Sequence, residues 1–305
     1  ETKEMKILLL TIGLVLSLCA QAQSKETITL LYAFSPADTT GNYSRVLAME
    51  LNKSQSKYTF IMEGKPGAGG TLAVNEVSRA NVGTHILHHS TAFFVRPNIF
   101  PKESWNTADY KSQWIYCAAP MVIASVKYKT WAEVSSGKDV SIGISGLGVT
   151  THLMAVQLKK KYPNLIIIPF KSTTDAMMSI LSGNTDLAIG FAGEVSKWEG
   201  KMTALGITGT KSAPHFPTLV SQGQDPVFGG MVVGQHLAVP QSFPESKRRE
   251  IYDMISKVAL NNPVLVERFA EDLCQPKVIS YDKLDGWFND QNAYWKNLSQ
   301  GIKVD

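Results

Sequence analysis

The sequence has few of the residues that mark metal, redox or nucleophilic centres. Cysteine occurs three times in 305 residues, and none of the three has the spacing of a zinc site or of a redox motif. The nucleophile elbow G-x-S-x-G is absent. The basic residues are scattered and the net charge is only +4, which gives little support for binding to nucleic acid. These absences argue against an enzyme and against a nucleic-acid-binding protein.

No apolar run is long enough to span a membrane as a helix. The longest, residues 7–18, has about twelve residues, whereas a span needs about 20. It follows Lys6 and precedes a small-x-small cleavage pattern at residues 20–22, as in a secretory signal peptide. We therefore predict a signal peptide over residues 1–22, with residues 1–4 as translated sequence ahead of the true start, and export to a bacterial periplasm.

Cleavage of that peptide would remove the first cysteine, Cys19, and Leu18 before it is bulkier than lipoprotein signals carry. Cys117 and Cys274 then remain as a pair in an oxidising compartment, where a disulfide is allowed. The two lie in segments that we interpret as a buried strand and a buried helix. Because unpaired cysteine is often buried, we predict free thiols, with the disulfide as the alternative.

A strand followed by a glycine-rich loop and a helix occurs three times. In residues 140–158, alternating apolar residues predict a strand, a Gly/Ser loop follows, and apolar residues at helical spacing predict a helix capped by Thr150 or Thr151. Residues 27–51 and 58–79 repeat the pattern. Because the first N–H groups of a helix lack intrahelical acceptors, such loops suit a carboxylate or phosphate.

Two other interpretations of these loops remain. Parallel α/β sheets need tight turns in any case, so the glycines could be structural. Gly146 and Gly148 also begin a dinucleotide fingerprint, but Thr151 stands where the third glycine should be.

Three histidines lie in residues 84–90, which we predict to be a strand. His85 and His89 would share one face of it and His88 the other. No carboxylate or cysteine completes a ligand set, so we predict no metal. The next segment, residues 90–94, mixes hydroxyl and aromatic side chains that would suit a pocket wall.

The mature chain is long enough for two α/β domains. Residues 116–126 are apolar with Pro120 among them, which predicts two extended pieces joined at a bend where the chain enters a second domain. A second apolar crossing at residues 235–240 returns it. Helices are then predicted over residues 244–260, 263–274 and 281–298. The predicted division is a first lobe of residues 23–120 and 237–305 and a second lobe of residues 121–236, joined by a hinge.

Several motifs occur in the order in which one family carries them. Residues 64–71 read G-K-P-G-A-G-G-T, and residues 146–153, 169–171 and 181–187 supply further matches. They resemble the tripartite tricarboxylate transporter receptors, the Bug or TctC-like periplasmic solute-binding proteins, whose N-R-P-G-A-G-G loop is the most specific match. The resemblance implies a two-lobed α/β fold of the type II periplasmic-binding-protein (Venus flytrap) class, with the ligand cleft between the lobes.

The resemblance also implies which residues bind the ligand. Family members hold a carboxylate through backbone N–H groups and hydroxyls of loops in both lobes, often with bridging waters. The matching positions in the first lobe are Phe34, Thr39, Thr40, Gly41, Asn42, Ala68, Gly69, Ser90 and Thr91. Those in the second lobe are Ser145, Gly148, Val149, Thr150, Thr151, Lys171, Gly190 and Phe191. Two helix N-termini from opposite lobes would then meet one anion.

Three positions depart from the family pattern. Asp38 enters a loop that is usually glycine-rich, Gly190 stands where many relatives have aspartate, and Ser172 replaces a glycine. If Asp38 faces the cleft, a zwitterionic or hydroxylated ligand becomes possible. If it caps a helix, it says nothing about the ligand.

The sequence and the resemblance together favour a monomeric extracytoplasmic receptor that captures a small organic carboxylate without a cofactor or metal. It would deliver that ligand to the membrane subunits of a tripartite tricarboxylate-type transporter. A ligand sensor for a membrane signalling protein is the alternative, since both would present the same closed surface. A secreted enzyme is the weaker alternative, because the serines of the glycine loops have no assigned histidine partner.

Overall fold

The structure, a computed structural model, describes residues 25–198 and 200–302, and the predicted signal peptide lies outside them. The strands of this part are β1 (Glu26–Tyr32), β2 (Tyr58–Gly64), β3 (His85–Ser90), β4 (Tyr110–Ala119), β5 (Val122–Ser125), β6 (Val140–Ile144), β7 (Leu165–Pro169), β8 (Leu187–Gly190), β9 (Thr203–Ile207), β10 (Val233–Pro240) and β11 (Gln275–Pro276). The α-helices are α1 (Gly41–Ser54), α2 (Thr71–Arg79), α3 (Ala92–Ile99), α4 (Trp131–Ser136), α5 (Thr150–Lys161), α6 (Thr173–Leu181), α7 (Ala192–Ser196), α8 (Glu245–Ala259), α9 (Pro263–Glu271) and α10 (Leu284–Ser299). None of the described helices has the length and apolar character needed to cross a membrane.

The first sheet has the order β11-β4-β10-β3-β1-β2. β1 pairs in parallel with β2 and β3, and α1 and α2 supply the crossovers that parallel neighbours need. β10 runs antiparallel to both β3 and β4. We call this sheet and its helices lobe I.

The second sheet has the order β7-β6-β8-β5-β9. β6 pairs in parallel with β7 and β8, with α5 and α6 as crossover helices. β5 runs antiparallel to β8 and β9. We call this sheet and its helices lobe II, and the two sheets give the predicted two-lobed α/β fold.

The chain passes between the sheets twice. Pro120 separates β4 in lobe I from β5 in lobe II, as the two predicted extended pieces require. The return is complete when β10 begins at Val233, because the whole of that strand pairs with lobe I. A division at residue 236 would therefore fall inside a strand.

The prediction of free thiols is wrong, because Cys117 and Cys274 form a disulfide within lobe I. The predicted helix over residues 263–274 ends at Glu271, and the chain then turns into β11, which pairs with β4 beside Cys117. This edge pairing leaves the two Cα atoms 5.4 Å apart, within the usual disulfide range.

The predicted cap of α5 is also wrong. Val149 is the N-cap residue, and Thr150 already lies in the helix. The hydroxyl of Thr151 instead accepts a hydrogen bond from the backbone N–H of Ser145 (3.0 Å), so it holds the loop rather than the helix end.

Two of the three histidines of β3, His88 and His89, pack into the core of lobe I, whereas His85 is partly exposed. Burial lowers the pKa of His88 to about 3 and that of His89 well below its usual value. The side chain of His88 lies 2.9 Å from the hydroxyl of Ser44, and Nδ1 of His89 lies 3.0 Å from the carbonyl oxygen of Ser90. No group of three or more potential metal ligands is found among the described residues.

Candidate functional site

The loops that follow β1 and β6 line one enclosed space between the lobes, which we call the inner chamber. Its volume is about 30 Å³, which is room for one or two water-sized groups. Lobe I contributes Tyr32, Asp38 and Thr40 to its wall, and lobe II contributes Thr150 and Thr151. The rest of the wall is largely apolar and includes Phe34, Met121, Val149 and Phe191, so the chamber has a few polar groups in an apolar lining.

A larger cavity of about 740 Å³ lies next to the inner chamber, and we call it the outer vestibule. Phe34 and Ser145 line both cavities. The vestibule is within the usual size range of small-molecule pockets. A ligand could therefore place a small polar group in the chamber and the rest of its body in the vestibule.

Hydrogen bonds across the gap hold the two lobes together. The hydroxyls of Thr91 and Thr150 are 3.2 Å apart. Arg96 Nη1 donates to the carbonyl oxygen of Leu147 at 2.8 Å. These pairs join lobe I to lobe II directly, so the structure is a closed form of the cleft.

The lobe I loop uses its own backbone groups to begin α1. The N–H groups of Gly41 and Asn42 donate to the carbonyl oxygens of Asp38 (3.0 Å) and Thr39 (3.2 Å). The hydroxyls of Tyr32 and Thr40, 2.6 Å apart, anchor the loop to β1. The N-terminus of α1 therefore has few donors left for a ligand.

The lobe II loop is built differently. Gly148 donates its N–H to Nδ1 of His152 (3.3 Å), and burial lowers the pKa of His152, which keeps the ring neutral and able to accept. The first turn of α5 lies against the chamber through Thr150 and Thr151. The first N–H groups of a helix have no intrahelical acceptor and carry the positive end of its dipole. This wall suits an anion.

Asp38, whose role the sequence left open, faces the cleft. Its side chain is 3% exposed and lines the inner chamber. Thr174 Oγ1 lies 3.1 Å from Asp38 Oδ1 and 2.9 Å from Glu194 Oε1. Because a hydroxyl has one proton, Thr174 can donate to only one of these two carboxyl groups at a time. Burial raises the pKa of Asp38 to about 7 and that of Glu194 to about 7. The two acids therefore hold protons at a pH where surface carboxyls are ionised.

A third buried acid, Asp272, ties the lobes together outside the chamber. It accepts hydrogen bonds from the Tyr43 hydroxyl (2.6 Å) and from the Gly193 N–H (3.2 Å). Burial raises its pKa as well. In the described part of the chain no lysine or arginine forms an ion pair with Asp38, Glu194 or Asp272.

Positive charge lies in the outer vestibule instead. Arg96 is buried, donates through Nε to the hydroxyl of Thr71 (3.0 Å), and has its guanidinium 4.6 Å from the ring centre of Phe100. No carboxylate forms an ion pair with it among the described residues. Lys171 lines the same cavity from lobe II.

The structure brings eleven of the seventeen residues implied by the resemblance to one or both cavities. These are Phe34, Thr40, Ala68, Gly69, Ser90, Ser145, Val149, Thr150, Thr151, Lys171 and Phe191. The other six line neither cavity: Thr39, Gly41, Asn42, Thr91, Gly148 and Gly190.

Two of these six are kept small by what they touch. A Cβ at Gly148, whose φ is +73°, would lie 2.5 Å from the ring of Phe100 in the other lobe. A Cβ at Gly190 would lie 2.4 Å from Glu194 Oε2. Gly148 therefore permits closure, and Gly190 leaves room for the buried side chain of Glu194.

Several residues that line the cavities were not among those expected from the sequence. Tyr32, Thr173 and Gln235 line the inner chamber, and Arg96 lines the vestibule. Gln235 had a detectable signal, because it is a polar residue inside an apolar crossing segment. Arg96 had none, because an arginine on a short helix is usually exposed.

The chain is similar to known proteins over most of its length. A family model described as "Tripartite tricarboxylate transporter family receptor" matches residues 43–304. Protein BugT of Bordetella pertussis is 22% identical over 313 residues, covering 96% of this chain and 94% of that protein.

Solved structures share the fold. The periplasmic binding protein BugD has a TM-score of 0.79 and 22% identity, covering 89% of this chain and 96% of that one. MatC from Rhodopseudomonas palustris, solved with bound malate, has a TM-score of 0.79 and 19% identity, covering 90% and 99%.

Proposed function

This chain belongs to the tripartite tricarboxylate transporter receptor family, and we propose that it is a periplasmic receptor that closes its two lobes around a small organic carboxylate. The observation that carries the proposal is the first turn of α5, which lines the inner chamber with Thr150 and Thr151. Helix N-termini bind anions through N–H groups and the helix dipole. The malate bound by MatC supports the same ligand class.

Closure of the two lobes couples ligand binding to recognition by a partner. The contact of Thr91 with Thr150 and that of Arg96 with Leu147 form only when the lobes meet. A ligand that touches both lobes favours this state, because it binds the closed form better than the open form. The closed surface is then what a membrane partner would recognise.

We further propose that the mature chain starts near Gln23, is exported to the periplasm and works as a monomer without chemistry or a cofactor. It would deliver its ligand to the membrane subunits of a tripartite transporter. Deleting its gene should abolish high-affinity uptake of the ligand by cells. Normal uptake together with a lost transcriptional response to the ligand would favour the sensor instead.

The direct test is a thermal-shift screen of residues 23–305 against mono-, di- and tricarboxylates, amino acids and sugars. A ligand at about a hundred times its dissociation constant adds roughly 2.7 kcal/mol to the free energy of unfolding. At about 2–4 °C per kcal/mol, that corresponds to a shift of roughly 5–10 °C in Tm. Stabilisation by compounds with a carboxylate is the expected result, and stabilisation only by neutral or purely cationic compounds would contradict the proposal.

A further inference from the structure

Asp272 contacts both lobes, although it belongs to lobe I and lines neither cavity. Its side chain is buried, and its Oδ2 accepts a hydrogen bond from the Tyr43 hydroxyl of lobe I at 2.6 Å. Its Oδ1 accepts a hydrogen bond from the backbone N–H of Gly193 in lobe II at 3.2 Å. Gly193 lies in the first turn of α7, where a backbone N–H has no intrahelical acceptor. The Asp272 carboxyl group therefore supplies an acceptor that lobe II itself does not provide.

The close approach of the two lobes at this point depends on a glycine. A Cβ at Gly193 would lie 2.6 Å from Asp272 Oδ1. Alanine would suit a helix better than glycine does, so α7 gives up helix propensity at this position. The next residue, Glu194, shares the Thr174 hydroxyl with Asp38, which lines the inner chamber. The helix α7 therefore connects the Asp272 contact to the wall of the chamber.

The turn that carries Asp272 is unfavourable by local rules. Asp272 follows the last residue of α9, where the helix dipole favours a cation over an acid. Leu273 has a φ of +53°, a left-handed conformation for which glycine is preferred at the end of a helix. The N–H of Leu273 donates to the carbonyl oxygen of Ala270 (3.0 Å) and that of Cys274 to Phe269 (2.7 Å). Contacts outside α9 must offset the cost of this turn.

The disulfide is the strongest of those contacts. Cys274 comes two residues after Asp272 and is bonded to Cys117 of β4. β11 adds only two residues of strand pairing, and both are exposed. β4 ends directly before Pro120, where the chain first passes into lobe II. The crosslink therefore fixes the turn to the strand that leads into the crossing between the lobes.

We propose that the disulfide between Cys117 and Cys274 positions Asp272, and that Asp272 is a positioning residue that holds lobe II closed through the N–H of Gly193. This inference rests on the proposed function as a closing receptor and concerns how closure is held. Loss of the bridge then loosens closure in addition to lowering the free energy of unfolding. A bridge that only stabilised lobe I would leave the Gly193 contact unchanged in the folded protein.

The experiment measures amide hydrogen exchange by NMR in the ligand-free mature chain, with isotope-labelled glycine. Gly193 reports the contact, and Gly143, in β6 between β7 and β8, reports opening of lobe II itself. The variants compared with the wild type are Asp272→Ala, Cys117→Ala/Cys274→Ala, the combination of these two, and Glu271→Ala. Glu271 is a partly exposed acid next to Asp272 in the chain, so its variant controls for the loss of one negative charge.

We expect Gly193 to exchange about tenfold or more faster, relative to Gly143, in Asp272→Ala than in the wild type, because its N–H loses its acceptor. The cysteine variant should raise the same ratio about threefold or more, and adding it to Asp272→Ala should raise the ratio no further, since the bridge acts through Asp272. Glu271→Ala should match the wild type. A wild-type ratio in the cysteine variant, or additive effects in the combined variant, would overturn the inference.

Two further measurements decide the question if a variant folds poorly. Wild-type protein treated with a reductant, at a temperature where Gly143 stays protected, supplies the ratio for the open bridge. Gly193→Ala favours the helix locally but places a Cβ against Asp272, so we expect a larger radius of gyration in solution scattering than for the wild type. Gly286→Ala, in α10 with open space around it, is the matched control. Equal radii for these two variants would rule out the positioning role of Asp272.

None of these measurements uses a ligand, so they separate this inference from the proposed function. If carboxylates fail to stabilise the protein in the thermal-shift screen while the exchange results are as expected, only the carboxylate-binding function fails. If the screen succeeds and exchange of Gly193 does not respond to the bridge, only this inference fails.

Discussion

The loops after β1 and β6 begin as the same unit, a strand that turns into a helix, yet they present opposite charge to the inner chamber. The lobe I loop satisfies the N–H groups of Gly41 and Asn42 with its own carbonyl oxygens and exposes Asp38 to the chamber. The lobe II loop turns through Gly148, leaves the first turn of α5 against the chamber and carries no acid there. The same local pattern therefore presents helix N–H groups to the chamber in lobe II and a carboxyl group in lobe I.

The lobes also differ in how they are held. Lobe I is crosslinked by Cys117 and Cys274, whereas lobe II contains no cysteine. We interpret lobe I as the rigid reference against which lobe II closes. The four predictions that follow test this comparison, beginning with the largest expected effect.

Removing the disulfide should destabilise lobe I strongly. The bridge closes a sequence separation of 157 residues, and loss of a native disulfide costs about 2–5 kcal/mol. The double variant Cys117→Ala/Cys274→Ala should therefore lose about that much free energy of unfolding, measured in urea. A reductant should lower the stability of the wild type and leave the variant unchanged; equal stability of the two under oxidising conditions would show that lobe I does not depend on the bridge.

Gly148→Asp should disrupt the anion-binding surface that the lobe II loop and the first turn of α5 form. The new side chain would meet the ring of Phe100 and place a negative charge at the start of α5, so we expect ligand affinity to fall by about a hundredfold or more, which is about 2.7 kcal/mol. Gly183→Asp is the matched control, because Gly183 has nearly the same φ of +74° with open space around it. Equal affinities for the two variants would remove the lobe II loop from the site.

Arg96→Met should weaken closure, because it removes the guanidinium and keeps an apolar stem of similar length. It deletes the hydrogen bond to the Leu147 carbonyl, so we expect about tenfold weaker binding, typical of a hydrogen bond from a charged donor. Solution scattering of the ligand-saturated variant should show a larger radius of gyration than that of the wild type. Arg79→Met, at an exposed position at the end of α2, is the control; an unchanged affinity for Arg96→Met would mean that closure does not need this contact.

The buried acids Asp38 and Glu194 should make the free energy of unfolding depend on pH. Burial raises the pKa of Asp38 and of Glu194 to about 7, so the folded protein keeps protons that the unfolded chain releases above about pH 4 to 5. Each acid therefore lowers the free energy of unfolding as pH rises from 5 to 8. The stability advantage of Asp38→Asn over the wild type should therefore grow by about 1 kcal/mol or more between pH 5 and pH 8.

The informative quantity is the difference in free energy of unfolding between Asp38→Asn and the wild type. Buried histidines act in the opposite direction over the same range, because burial lowers the pKa of His88 and of His236 to about 3. Their contribution cancels when the two proteins are compared at each pH. A stability difference that does not change from pH 5 to pH 8 would show that Asp38 is ionised throughout.

Much of the fold followed from local patterns in the sequence. The predicted strand–loop–helix units of residues 27–51, 58–79 and 140–158 are all present, because apolar periodicity and glycine loops delimit them. The predictions were wrong where contact with a segment distant in sequence determines the local structure. The chain leaves α9 at Glu271 because β11 pairs with β4, and only this pairing brings Cys274 to Cys117.

The sequence by itself determined the family, the two α/β lobes and the glycine loops at their junction, since these depend on the order of short motifs. It could not determine the charge of the chamber. Asp38 lies in lobe I, and Thr174 and Glu194 lie more than 130 residues further along in lobe II, so their contact exists only when the lobes close. The pKa of Asp38 then depends on that closure, because removing water from the carboxyl group is what raises it.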